Sequence, residues 1–296
     1  MVDQNTGAPE DSPEDSSESR FEQAVDAVIT GDLEMLTGLL AADPSLVHAR
    51  SRRITDQDPA VHGATLLHYL AANGVENERQ RSPQNAVEIA TLLLESGADP
   101  NALAAMYGGQ CTTLSMLVSS TPPADAGVQV PLVHVLLDYG ADPNGAGDGS
   151  WVNPIMTALV FGYLDAAQAL VDRGARVDSL EQAAGLGRDA DIVAWLPTAS
   201  PEARHRALAV AAINGQVRAA QLLLDAGEDP NRFNPDGFHA HSTPLHQAAL
   251  AGHLALVQLL VSRGARTDIR DPMWDGTPLD WAEHAGKREV MEYLNS

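Results

Sequence analysis

The sequence predicts an all-α solenoid of about eight helix-turn-helix units, and three recurring observations carry that prediction. A short string closes one unit after another: Gly97-Ala-Asp-Pro-Asn101, Gly140-Ala-Asp-Pro-Asn144, Gly174-Ala-Arg-Val-Asp178, Gly227-Glu-Asp-Pro-Asn231 and Gly264-Ala-Arg-Thr-Asp268. Ahead of the strings run apolar stretches with leucines at helical spacing, such as Ala90-Thr-Leu-Leu-Leu94 and Leu256-Val-Gln-Leu-Leu-Val261, so each string reads as a helix stopped by a left-handed glycine. Further upstream stand Thr243-Pro-Leu-His-Gln-Ala-Ala249 and Thr277-Pro-Leu-Asp-Trp-Ala282. There a threonine caps a helix, proline fills its first turn and small alanines admit a close neighbour.

Taken in order, the elements begin with residues 1–19, which carry Asp3, Glu10, Asp11, Glu14, Asp15 and Glu18, no base and almost nothing apolar. They are expected to be a disordered acidic tail, leaving 20–296 as the folded domain. Phe21 to Arg50 reads as an amino-terminal capping unit. The leading glycines of the closing strings lie 43, 34, 53 and 37 residues apart. Glycines at 31, 74, 162, 187, 215, 252 and 286 would separate the two helices of their units, with none evident in the third. The unit around Gly187 is compressed and loses its ending at Pro197. Units two and three carry enlarged inter-helix loops, Val75 to Gln84 and Ser119 to Gln129.

In these residues the chain resembles the ankyrin repeat, whose unit is a turn, a Thr-Pro-Leu-His helix, a Gly-His loop, a second helix and a Gly-Ala-Asp ending. The resemblance covers nearly everything after the tail, and units seven and eight match best. The wording of units two and three looks like a subset of bacterial ankyrin proteins, and 17 arginines against the lone Lys287 suit a GC-rich bacterial genome. What the resemblance implies is a non-enzymatic module binding a protein partner on the concave or turn face.

Composition narrows the function independently. Forty acidic residues against eighteen basic ones give a formal charge of -22, opposite to the footprint that nucleic acid or an anionic membrane requires. A protein partner with a basic surface is the expectation, and a monomer is favoured. The single cysteine, Cys111, permits no internal disulfide, and no signal peptide or spanning apolar run stands out, so a cytoplasmic location is expected. No phosphate-binding loop, nucleophile elbow or His-Glu-x-x-His pair is present, and no cofactor is expected.

Candidate site residues fall into two sets. Trp151, Phe238, His239, His241 and Trp274 lie at or near inter-unit turns and are the partner-binding candidates, because aromatics are only 4% of the chain. Trp281 is expected to pack beneath the last turn. The second set, His68, Tyr69, Asn73, Glu76, Tyr107, Gln110 and Thr112, could converge between units two and three. It supports an alternative function, a small-molecule binding protein or enzyme, in which His68, Glu76 and Tyr107 would do acid-base chemistry. The competing reading is a hydrogen-bonded buttress for the long loop. His68 and His246 occupy the family's histidine slot, a structural position, and Asp280 replaces it in the last unit. His239 and His241 are too few ligands for zinc, and no metal is predicted.

Overall fold

A computed structural model describes residues 13–54, 61–72, 76–106, 108–147 and 152–296, with side chains from residue 17 onward. The predicted all-α solenoid is the observed fold class, with helices arriving in short antiparallel-type pairs joined by glycine turns. By internal contacts the chain forms two compact units, Met1–Asp142 with Ala146–Gly149, and Pro143–Gly145 with Ser150–Ser296. A repeat array touches only its neighbours, so division of this kind follows from the architecture.

The first unit opens with α1 (Pro13–Thr30) and α2 (Leu33–Ala42). Helix α1 starts at Pro13, within the stretch expected as tail, and residues 1–12 lie outside the described residues. The apolar run from Phe21 to Ile29 anchors α1, with Val25 and Val28 fully buried. Next come α3 (Leu66–Tyr69) and α4 (Ala86–Glu95), then α5 (Thr113–Leu117), α6 (Thr121–Asp125) and α7 (Gln129–Asp138). The core is a ladder of fully buried leucines and isoleucine: Leu36, Leu66, Ile89, Leu93, Leu114 and Leu132 among them.

Two features here were not expected. A two-stranded antiparallel hairpin, β1 (Leu103–Met106) with β2 (Gly109–Thr112), precedes α5. The enlarged loops also fold locally. Asn77–Arg79 forms a 3-10 turn, and α6 arises inside Ser119–Gln129 because Pro122 and Pro123 sit in its first turn, where their missing N–H groups cost nothing.

The second unit is more regular. It pairs α8 (Pro154–Val160) with α9 (Leu164–Asp172), α10 (Leu180–Gly185) with α11 (Asp189–Trp195), α12 (Pro201–Ile213) with α13 (Val217–Asp225), α14 (Pro244–Ala251) with α15 (Leu254–Ser262), and α16 (Pro278–His284) with α17 (Arg288–Leu294). Small residues dominate the facing surfaces: Ala183, Ala184, Ala207, Ala211, Ala212, Ala248, Ala249 and Ala282 are all fully buried. The compressed unit passes from α11 through a 3-10 turn at Leu196–Thr198 straight into α12.

The closing strings work as inferred. Their glycines have φ between +88° and +100°, the left-handed region. The last asparagine of one string then clamps the next. Asn101 donates to Gly140 O (2.8 Å) and accepts from Asp142 N (2.8 Å). Asn231 repeats this on Gly264 O (2.9 Å) and Arg266 N (2.8 Å). An amide side chain matches one donor and one acceptor at once, which explains the choice of asparagine.

Candidate functional site

In the first unit the long-loop set partly converges, around Glu76. This carboxylate is almost fully buried, yet each of its oxygens meets two donors. Oε1 accepts from His62 Nε2 (2.8 Å) and Tyr69 OH (2.7 Å); Oε2 accepts from Arg53 (2.7 Å) and lies 3.3 Å from Arg79 Nε. Arg79 also pairs with Glu22 on α1 and lies over the Tyr69 ring, 5.8 Å from its centroid. Burial acts to raise the Glu76 pKa, but the bonds from His62 and Tyr69 and the Arg79 and Arg53 guanidiniums outweigh it and hold it down to about 2. Burial pushes the Tyr69 phenol up. Ala64 N–H donates to His62 Nδ1 (3.2 Å), so Nε2 carries the hydrogen that Glu76 accepts. The space among His62, His68, Tyr69, Glu76 and Arg79 is about 20 Å³, room for one water.

The other members of this set do different work. His68 Nδ1 accepts from Thr65 N (3.2 Å) and Oγ1 (2.9 Å), and Nε2 donates to Cys111 O (3.4 Å), joining α3 to the following hairpin. Full burial lowers its pKa to about 4 and keeps it neutral. His246 repeats the arrangement with Thr243 and, through Nε2, Gly276 O (3.2 Å). At the substituted position Asp280 Oδ2 accepts from Thr277 N and Oγ1, both at 2.7 Å. Thr112 caps α5 through Ser115 N (3.2 Å). Gln110 sits in β2, partly buried, and is not part of the Glu76 cluster's bonds. Asn73 and Tyr107 lie outside the described residues.

The second unit presents a different arrangement. Between the turns 235–242 and 271–277, and against α14 and α16, lies an open recess of about 700 Å³. His239, His241, Trp274, Asp280, Trp281 and His284 are among its lining residues. The turn 235–242 brings His239 to Val160 O (2.9 Å), where the residue holds φ at +61°. Its ring stands 6.5 Å from Phe161 and 6.1 Å from His241. His241 packs edge-on to Trp274 at 5.1 Å, and Trp274 lies 5.8 Å from Trp281. Burial, aided by His239, lowers the His241 pKa.

A single carboxylate fixes this end of the recess. Asp271, nearly fully buried, accepts from Met273 N (2.9 Å), Trp274 N (2.7 Å), Gly276 N (2.9 Å) and Trp281 Nε1 (2.9 Å). Burial would raise its pKa, but the donors from Trp274 and Trp281 prevail and keep it below the usual carboxylate range. Trp281 is thereby buried, whereas Trp274 remains 67% exposed beside Met273 at 64%. Phe238 is partly buried and does not line the recess, and Trp151 lies outside the described residues. Among the described residues no group of three or more metal-ligating side chains converges.

Residue-type reasoning missed His62, Arg53, Arg79 and Asp271. Arg79 was visible as one of several charges in a polar loop, but its partners Glu22 and Glu76 come from two other elements. Asp271 had a local signal, an Asp-Pro-x-Trp-x-Gly turn in which a carboxylate can accept from N–H groups two, three and five residues onward.

Comparison with known proteins now names the class. The family description for three copies of ankyrin repeats matches residues 180–271 and 208–296, and the single ankyrin repeat matches 62–108. The chain belongs to the ankyrin-repeat family. It is 35% identical over 123 residues to human cyclin-dependent kinase inhibitor 2A, covering 40% of this chain and 76% of that protein. With bovine cyclin-dependent kinase 4 inhibitor B it shares 40% identity over 82 residues, 28% of this chain and 60% of the relative. A nematode (Caenorhabditis elegans) protein, ankyrin repeat and KH domain-containing protein mask-1, is 29% identical over 178 residues, 57% of this chain and 7% of its own length. These relatives are animal proteins. Among the described residues no helix is long and apolar enough to cross a membrane.

Proposed function

We propose that this chain is a non-enzymatic, cytoplasmic recognition module that holds a segment of a partner protein in the recess edged by His239, His241 and Trp274; Phe238, on the same turn as His239, and Trp151 remain partner-binding candidates from the sequence alone. The observation that carries the reading is Trp274, a large aromatic left 67% exposed over a recess of about 700 Å³ while its backbone and ring are pinned by Asp271, His241 and Trp281. A rigid exposed indole beside a concave surface is the composition of an interface anchor. Repeat proteins commonly bind partners, and two of the relatives are named as inhibitors of kinases, which are themselves proteins. The charge of -22 favours a basic partner surface and association that weakens with salt.

The alternative, chemistry at the long loops, finds little support in the geometry. Glu76 is held ionised with both oxygens doubly engaged, so it has no proton to give and no lone pair to spare. A cavity of about 20 Å³ admits no organic substrate. The cluster reads as a buttress that ties the loop to α1 and α3. Capture from native lysate, with Trp274→Ala and Tyr69→Phe in parallel and each at low and high salt, tests the assignment. Loss of a captured partner with Trp274→Ala alone, at unchanged melting temperature, is expected; loss with Tyr69→Phe alone would overturn it.

A further inference from the structure

Resting on the recess as the partner site, we infer the chemistry it selects: a cationic side chain, arginine or lysine, of a peptide segment, seated between the Trp274 ring and the Asp280 carboxylate. The lining contains two indoles, three imidazoles and one carboxylate, and no lysine or arginine. Indole faces attract cations through their quadrupole, more strongly than phenyl or phenol rings do. An anion entering here would meet Asp280 and the field of a chain carrying -22. A purely apolar side chain would gain nothing from that carboxylate, whereas a cation would gain its attraction.

Two details make the arrangement a built one. Trp274 is braced on two sides, by the His241 ring at 88° and by Trp281 at 65°, so the exposed ring is oriented before a ligand arrives. Asp280 uses only Oδ2 for its helix cap, and no described residue bonds Oδ1. The base on the same turn, Arg270, donates to Asp275 O (2.5 Å), lies 3.6 Å from the Asp275 carboxylate and acts on Asp280 only through its field, without a hydrogen bond to it. Burial and the neighbouring His239 keep His241 predominantly uncharged at neutral pH, so it does not repel a cation.

The experiment uses the full chain with 15N-labelled indoles. A capped Gly-Gly-Arg-Gly-Gly peptide and its lysine counterpart are titrated into the millimolar range, with the citrulline peptide as the neutral isostere. Saturable movement of the Trp274 and Trp281 indole N–H resonances with the cationic peptides, at least fivefold weaker with citrulline, is expected. Trp274→Ala and Asp280→Asn should each weaken binding about fivefold or more. Asp280→Asn retains the oxygen that accepts from Thr277, so α16 keeps its cap, and a melting curve verifies it. Equal response to citrulline, no response to any peptide, or indifference to Asp280→Asn overturns the inference. A captured partner that depends on Trp274 while all three peptides stay silent defeats the cation assignment and leaves the partner site standing. Peptide binding without any effect of Trp274→Ala on the partner does the reverse.

Discussion

Glu76 decides what the first unit does at the level of single residues. Four donors on one buried carboxylate make a strong bracket, and removing the charge takes a buried partner from two arginines, leaving Arg79 to Glu22 and Arg53 to Glu78. Glu76→Gln should therefore cost about 3 to 5 kcal/mol in a urea melt. Tyr69→Phe removes one hydrogen bond and should cost only about 1 kcal/mol. Acid adds a second test. His68 has its pKa lowered from 6.5 to about 4, so the unfolded chain takes up the proton first as pH falls. Its stabilising contribution is complete above pH 6.5 and is lost progressively down to about pH 4, in total about 3 kcal/mol. Glu76, lowered from 4.5 to about 2, adds a further loss between those values. Thermal melts of wild type should decline from pH 6.5 downward, and His68→Gln should flatten the upper part of that decline. A wild-type melting temperature constant from pH 6.5 to 4 would show that His68 is not held neutral by burial.

Individual elements are where the chain was most legible. Helix pairs, closing glycines and threonine caps are local patterns, so Thr243, Gly227 and the leucines of α13 and α15 announced their roles within a few residues of sequence. Leu245, only 1% exposed, is the core position its place in the Thr-Pro-Leu-His string implied. Leu245→Ala should cost about 2 to 5 kcal/mol in equilibrium unfolding. The hairpin at Leu103–Thr112 escaped notice because its strands are Ala- and Gly-rich and lack the β-branched alternation that marks strands. The first helix escaped in part because the Pro, Ser and Glu residues at 13–18 suit disorder and a helix amino terminus equally. What sequence could not give were the meetings across distance: His62 with Glu76, Asp271 with Trp281, and His239 with the carbonyl of Val160, 79 residues away. The asparagine clamps offer a test of repeat coupling. Asn231→Ala removes both bonds to the next string, and hydrogen exchange at Ala265 and Arg266 should quicken, at a cost of about 1 to 2 kcal/mol.

For the molecule as a whole, acidity and one anchored indole converge on recognition. Six of the 40 acidic side chains lie in residues 1–19, so most of the negative charge belongs to the repeats themselves. Association with a basic partner should slow as salt rises, with the dissociation rate changing less. The most direct test of the account is calorimetric titration of the captured partner into wild type, Trp274→Ala and Tyr69→Phe at one salt concentration, with melting curves alongside. The account predicts that Trp274→Ala weakens binding by about 1 to 3 kcal/mol without loss of stability, while Tyr69→Phe binds as wild type. Wild-type affinity in Trp274→Ala, together with lost affinity in a folded Tyr69→Phe, would contradict it and move the working surface to the long loops of the first unit.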